Sequence, residues 1–207
     1  MINVLIVEDQ RMMRETMEIY IKQSEGYMLA GSIPGAGFAE KFCAQNAVDL
    51  ILMDVCTEND ESGFEATKKI KERFPKIKVI IVTSMLDSSY LDRAKEVGAD
   101  SIWFKDAGRK ELMTVVERTV NGESVYPDKT PPVMIGNAIS YEFTKSEIKV
   151  LHLLVEGMTY SEMAQALGVS VETVKSHVSN MLSKTGFTSK TKLAAMVISK
   201  RLIVNGF

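Results

Sequence analysis

The chain has 207 residues, 45% of them hydrophobic and 25% charged, the composition of a soluble globular protein with room for one large domain or two small ones. No uncharged apolar run approaches the roughly 18 residues of a membrane span, the Met1-Ile2-Asn3-Val4 start does not read as a signal peptide, and Cys43 and Cys56 form no CxxC pair, which excludes a disulfide scaffold or zinc finger and suits a reducing cytoplasm. The net charge of −2 is unevenly divided: residues 1–140 hold 17 Lys and Arg against 22 Asp and Glu, whereas residues 141–207 hold 8 against 5, so an acidic front precedes a basic tail suited to a polyanion.

In chain order, the first two-thirds alternates short β-branched runs with amphipathic stretches. Strands are predicted at Asn3–Val7, Met28–Ser32, Leu50–Met53, Val79–Thr83 and Ser101–Phe104. Helices are predicted at Arg11–Gln23, with Met13, Met17, Tyr20 and Ile21 on one stripe, and at Gly63–Arg73, stopped by Pro75. Two more are predicted at Ser88–Val97, ended by Gly98, and at Arg109–Val120, ended by Gly122. Such alternation predicts βαβ units and a parallel sheet. The unbroken apolar runs Leu5–Val7, Leu50–Met53 and Val79–Val82 are those of strands buried on both faces.

After Gly122 the periodicity breaks, and Pro127, Pro131, Pro132 and Gly136 punctuate a stretch read as a linker over 123–141. It separates a domain at 1–122 from one at 142–207. The second has no strand signal, only four short helices at Lys145–Glu156, Tyr160–Leu167, Val171–Thr185 and Lys190–Lys200. Capping boxes open the first two, at Thr144-Lys145-Ser146-Glu147 and Thr159-Tyr160-Ser161-Glu162. Gly168-Val169-Ser170 then supplies a tight turn ending in a hydroxyl N-cap, which makes a helix-turn-helix. At 100° per residue, Val171, Val174, Val178, Met181 and Leu182 fall on one arc and face a core. The opposite arc, with Glu172, Ser176, Ser179 and Ser183 flanked by Thr173, Lys175, Asn180 and Lys184, is short and polar and fits a major groove of ~12 Å.

The polar residues at the strand ends carry the chemistry, because an open parallel sheet binds ligands beyond the carboxyl ends of its strands. Glu8-Asp9 follow the first strand, Asp54 the third, Thr83-Ser84 the fourth and Lys105 the fifth. Three crowded carboxylates call for a cation, and a hard ion such as Mg2+ takes such oxygens while keeping positions for water and phosphate. A carboxylate beside a metal, with an ammonium and a hydroxyl opposite, suits phosphoryl transfer to that carboxylate.

Residues 1–122 resemble the receiver domain of bacterial two-component response regulators, on Glu8-Asp9, Asp54, Thr83 and Lys105 in order and spacing. The resemblance implies a five-stranded doubly wound sheet of order 2-1-3-4-5. It implies that Glu8, Asp9, Asp54 and the Cys56 backbone carbonyl hold Mg2+ and that Asp54 accepts phosphate from a sensor histidine kinase. Thr83 and Lys105 would then engage the phosphoryl group. The resemblance departs at the longer acidic loop Val55–Ser62 and at Ile102, where the family commonly carries an aromatic residue. Lys105 is followed by Asp106 rather than Pro. Cys56 and Met85 flank the family's route for a hydrolytic water, and neither side chain orients water well, so slow self-dephosphorylation is expected. Gly35-Ala36-Gly37 reads as a turn, since it lacks a third glycine and follows the wrong strand for a nucleotide loop.

Residues 143–203 resemble the LuxR-type DNA-binding domain, most specifically over Leu167–Val178. By that resemblance Lys175, Ser176 and Ser179 face bases, and Thr173, Lys184 and Lys190 lie near the DNA backbone. Together the two resemblances imply a cytoplasmic NarL/FixJ-type regulator, α/β plus all-α, that binds DNA and dimerises on activation, is not an enzyme and has no membrane partner. Three rivals stand beside it: a transcription factor indifferent to phosphorylation, a small-molecule phosphatase or phosphotransferase, and a protein-binding module. The second is disfavoured because Cys56 stands where such enzymes place a second Asp.

Overall fold

The computed structural model describes residues 1–84, 89–105, 107–127, 132–199 and 202. The expected helix start at Ser88, together with Met85, Asp106 and Lys200, lies outside the described residues. Two compact units emerge, one within 1–127 and one within 132–202.

The first unit is an α/β sandwich. Strands β1 (Ile2–Val7), β2 (Tyr27–Ile33), β3 (Leu50–Asp54), β6 (Lys78–Thr83) and β7 (Ser101–Phe104) form one parallel sheet of order β2-β1-β3-β6-β7. Counting the strands of this sheet alone, that is the expected 2-1-3-4-5. The apolar runs Val4–Val7, Leu50–Met53 and Val79–Val82 are buried throughout. Alternate residues point to opposite faces. Val4, Ile6, Leu50, Leu52, Ile80 and Val82 share one core with Met17 and Ile21 of α1 (Arg11–Lys22) and with Leu112 and Val116 of α5 (Arg109–Val120). Two further helices, α2 (Ala39–Gln45) and α3 (Gly63–Arg73), lie beside each other and bury Ala39, Cys43, Phe64 and Ile70. Helix α4 spans Ser89–Glu96.

The loop after Asp54 is not irregular. It folds into a hairpin of two-residue strands, β4 (Cys56–Thr57) and β5 (Glu61–Ser62), with Asn59 at φ +60° between them. Asp100, just before β7, ties the far end of the sheet together, accepting from Lys71 Nζ (2.8 Å), Lys78 Nζ (2.9 Å) and Val79 N–H (2.9 Å).

The second unit packs α6 (Lys145–Val155), α7 (Tyr160–Leu167), α8 (Val171–Thr185) and α9 (Lys190–Ser199) around Val150, Leu151, Met163, Val174, Val178, Met181, Leu193 and Val197. Both capping boxes form: Thr144 and Thr159 each accept from the N–H of the Glu three residues on, and that Glu accepts in return. Gly168 ends α7 in the left-handed conformation, φ +66°, which a side chain adopts only with strain. Ser170 then caps α8 by accepting from Thr173 N–H at 3.1 Å.

Described parts of the stretch expected to be a linker belong to the two units. Val125 exchanges hydrogen bonds with β7, the edge strand of the sheet, donating to Ser101 Oγ and accepting from Ile102 N–H, and Tyr126 donates its hydroxyl to Ala99 O. Farther on, strands β8 (Met134–Ile135) and β9 (Ala138–Ile139) form a hairpin that buries Ile135 and Ala138 in the helical core. Short strands of two residues leave no periodicity for a sequence reading to find.

Candidate functional site

Parallel register brings the acids to one rim. Val7 pairs with Met53 and Asp54 with Val82, so Glu8 and Asp9 leave β1 at the level where β3 ends. Carboxylate oxygens of Glu8, Asp9 and Asp54 all lie within 4.8 Å of one another. Glu8 is fully buried and Asp54 only 5% exposed. The Lys105 ammonium sits between two of them, 2.8 Å from Glu8 Oε2 and 2.9 Å from Asp54 Oδ2. Thr83 is buried at the end of β6, and its carbonyl accepts the Lys105 N–H at 2.9 Å. Among the described residues this is the only such acidic cluster.

Backbone donors orient the acids. Val55 N–H donates to Asp54 Oδ1 (2.8 Å) and Gln10 N–H to Glu8 Oε1 (3.1 Å), while Arg14 Nη1 grips the Glu8 carbonyl at 2.6 Å. The sequence reading missed Arg14; its place one turn into α1, facing back toward the strand end, is the signal that was there. Gly63 seals the base of the β4–β5 hairpin: its N–H donates to Val55 O at 2.8 Å, and a Cβ there would collide with the Asp54 carbonyl.

Burial pushes the Asp54 carboxyl up to about 7; Lys105 works against this, and the Glu8 and Asp9 charges reinforce it. Burial also disfavours the Lys105 ammonium, yet Asp54 and Glu8 hold its pKa above the ordinary value. Three acids stand against one ammonium, with Glu8 and Asp54 buried and Asp9 half-buried. Among the described residues, Glu8 Oε2 meets no other polar partner than Lys105. An all-oxygen set of this kind fits a hard divalent cation.

On the second unit, α8 presents Lys175, Ser176 and Ser179 to solvent, beside exposed Glu172, Asn180 and Ser183. The Thr173 hydroxyl lies 2.9 Å from Ser170 Oγ and so belongs to the helix cap. Lys190 stacks its ammonium 4.3 Å from the centre of the Tyr160 ring. Lys184 departs from expectation. Its Nζ lies 2.7 and 2.9 Å from the two oxygens of Glu147, which is 2% exposed, and 2.7 Å from Glu142 O. The buried carboxylate has drawn Lys184 inward, away from the outer face where a phosphate contact was expected.

Sequence comparison accounts for both units. The profile of the response regulator receiver domain matches residues 4–117, and that of bacterial regulatory proteins of the luxR family matches residues 142–197. Response regulator protein VraR of Staphylococcus aureus is 34% identical over 212 residues, spanning 98% of this chain and 99% of that protein. The chain belongs to the NarL/FixJ-type response regulators. It is thus a DNA-binding regulator of a two-component system, in a family of transcription factors rather than enzymes. Receiver domains of this family generally bind Mg2+ at an acidic pocket such as the one formed here.

Solved structures share the response regulator's fold at lower identity. RcsB of Salmonella typhimurium superposes with a TM-score of 0.58 at 20% identity, covering 96% of this chain and 100% of that one. A structure of two RcsB dimers bound to two parallel DNAs gives 0.61 at 19%, covering 96% and 98%. No described helix of the regulator is long and apolar enough to cross a membrane.

Proposed function

We propose that this regulator is switched by phosphorylation of Asp54 by a sensor histidine kinase in the cytoplasm, and that the switch controls dimerisation and DNA binding. The observation that carries the reading is the cluster of Glu8, Asp9 and Asp54, with the Lys105 ammonium bridging Glu8 and Asp54. In the transfer, an Asp54 carboxylate oxygen attacks phosphorus, the bond to the kinase imidazole breaks, and an acyl phosphate results. Glu8, Asp9, Asp54 and the Cys56 carbonyl are the residues that would hold Mg2+. When bound, the ion neutralises phosphoryl oxygens and leaves the acids less repelled.

Lys105 has a second task here. It holds the Asp54 and Glu8 charges together before transfer and pairs with the phosphoryl group afterwards, so the ammonium changes partner rather than position. Thr83, whose carbonyl is bonded to the Lys105 backbone, is the hydroxyl that turns toward the new phosphate. Phosphorylation adds a charge of about −1.5 to −2, which shifts an existing conformational equilibrium.

For DNA, Lys175, Ser176 and Ser179 reach base edges, while Thr173 and Lys190 lie by the phosphates. Lys184 is withdrawn from that set, because its charge is already paired with Glu147. The receiver is assigned to 1–122 and the DNA-binding domain to 142–207, the intervening 123–141 lending Val125 and Tyr126 to the first and the β8–β9 hairpin to the second.

The test is binding to DNA selected from a random pool, with and without acetyl phosphate and Mg2+, for the wild type and Asp54→Asn. Stimulation by acetyl phosphate in the wild type alone is expected. Equal binding by both proteins in every condition would instead identify a transcription factor indifferent to phosphorylation.

A further inference from the structure

The Gly35-Ala36-Gly37 turn has a partner that its sequence did not announce. Neither glycine is required by backbone conformation: Gly35 has φ −119°, and Gly37 is not among the residues of positive φ. What excludes a side chain is the carboxylate of Glu61. A Cβ at Gly35 would lie 2.8 Å from Glu61 Oε2, and one at Gly37 would lie 2.5 Å from Oε1. The carboxylate is seated in the space two missing methyl groups leave, and Gly37 N–H donates to Oε2 at 2.7 Å.

A second bond runs parallel to the first. Ala36 N–H donates to Thr57 Oγ1 at 2.8 Å, and that hydroxyl donates in turn to Glu61 O at 3.2 Å. Two successive N–H groups of one turn therefore hold both strands of the β4–β5 hairpin. An isolated two-stranded hairpin is marginal in water, and this one has strands of only two residues. It is fixed at its base by Gly63 against Asp54 and at its side by Glu61 and Thr57. Cys56 lies on β4, paired with Ser62.

We propose that Glu61 is a positioning residue of the phosphoacceptor site: seated on Gly35 and Gly37, it fixes the hairpin that carries the Cys56 carbonyl and so sets the affinity for Mg2+. The proposal rests on the reading of Glu8, Asp9, Asp54 and the Cys56 carbonyl as the metal site. Glu61 itself is no ligand in it. Contacts that orient metal ligands from behind commonly change affinity by about 10–100-fold.

A negative charge near a cation also attracts it through space, and the test separates the two effects. Mg2+ is titrated calorimetrically into the full-length unphosphorylated chain. Glu61→Ala removes charge and seat contact together; Glu61→Gln removes the charge but keeps an acceptor for Gly37 N–H; Gly37→Ala keeps the charge but occupies the seat. Glu61→Ala and Gly37→Ala are each expected to weaken Mg2+ binding about 10-fold, with Glu61→Gln within about twofold of wild type. In the metal-free chain, hydrogen exchange at the Gly37 amide should rise in the Ala variants and not in the Gln variant, while β3 stays protected.

Glu61→Gln binding as weakly as Glu61→Ala, with Gly37→Ala unaffected, would reduce the effect to charge and overturn the proposal. Wild-type affinity in all three would overturn it as well. Asp9→Asn serves as the reference. If it too binds Mg2+ as the wild type does, the reading of the metal site fails; if it loses binding while Glu61→Ala and Gly37→Ala do not, only the role of Glu61 fails.

Discussion

Replacing Lys184 with Met tests whether this residue serves the fold or the DNA. The Glu147 carboxylate it meets is almost wholly buried, whereas the Lys184 side chain is 29% exposed. Removing one partner of a buried pair costs about 3–5 kcal/mol, because the other is left uncompensated. Glu147 would keep the Thr144 N–H at 2.7 Å, and water can enter from the exposed side, so the lower end, about 3 kcal/mol, is expected. Met keeps an apolar stem near the Phe143 ring, over which the ammonium now sits, and so isolates the charge. Adding Glu147→Gln should return about 1–2 kcal/mol of the loss, as coupled neighbours do.

The deficit depends on pH with a definite sign. Burial raises the Glu147 pKa, but the Lys184 ammonium and the Thr144 backbone more than offset it, so the group lies below its ordinary value. Its stabilisation is therefore present above the unfolded value of about 4.3 and is lost as pH falls through the folded one. Wild type and Lys184→Met should converge in acid. Chemical denaturation followed by circular dichroism reports both units and the single Trp, Trp103, reports the receiver alone, so the part of the transition missing from the Trp signal belongs to the helical unit. Unchanged stability, within about 0.5 kcal/mol, together with weakened DNA binding, would refute the reasoning and return Lys184 to the phosphates.

Three other outcomes follow from the same geometry. Asp100→Asn should lower receiver stability by about 2 kcal/mol at neutral pH; burial raises the Asp100 pKa, yet Lys71, Lys78 and the Val79 N–H bring it below its ordinary value, so the loss shrinks as pH falls through that value, as read by Trp103 denaturation. Lys175→Ala should weaken specific DNA binding by about 1–3 kcal/mol with no change in stability, measured by fluorescence anisotropy on a selected site. The phosphorylated regulator should persist for hours, since Cys56 beside the acceptor orients water poorly; phosphate release complete within a minute would contradict this.

The legible parts of the molecule share a physical cause. Leu50–Met53 and Val79–Val82 announce strands because burial on both faces demands unbroken apolar runs. Glu8, Asp9, Asp54 and Lys105 could be assembled from sequence because parallel strands deliver their carboxyl ends to one rim. Helix α8 was readable by angle, with Val174, Val178 and Met181 buried as their arc requires. What escaped was set by contacts between residues distant in the chain. The Glu61 carboxylate meets Gly37 across 24 positions, and Lys184 turns toward Glu147 across 37. A long side chain at the margin of a polar arc can reach inward or outward. In this case the buried capping-box Glu147 decides the direction, and nothing in the periodicity of α8 reports it.

The switch requires that Asp54 form an acyl phosphate within its acidic cluster. Intact-mass measurement with peptide mapping, after incubation with acetyl phosphate and Mg2+, addresses it directly. One phosphoryl group per chain, located at Asp54 and missing from Asp54→Asn, is the predicted result. An adduct of equal yield on Asp54→Asn would remove Asp54 from the acceptor role.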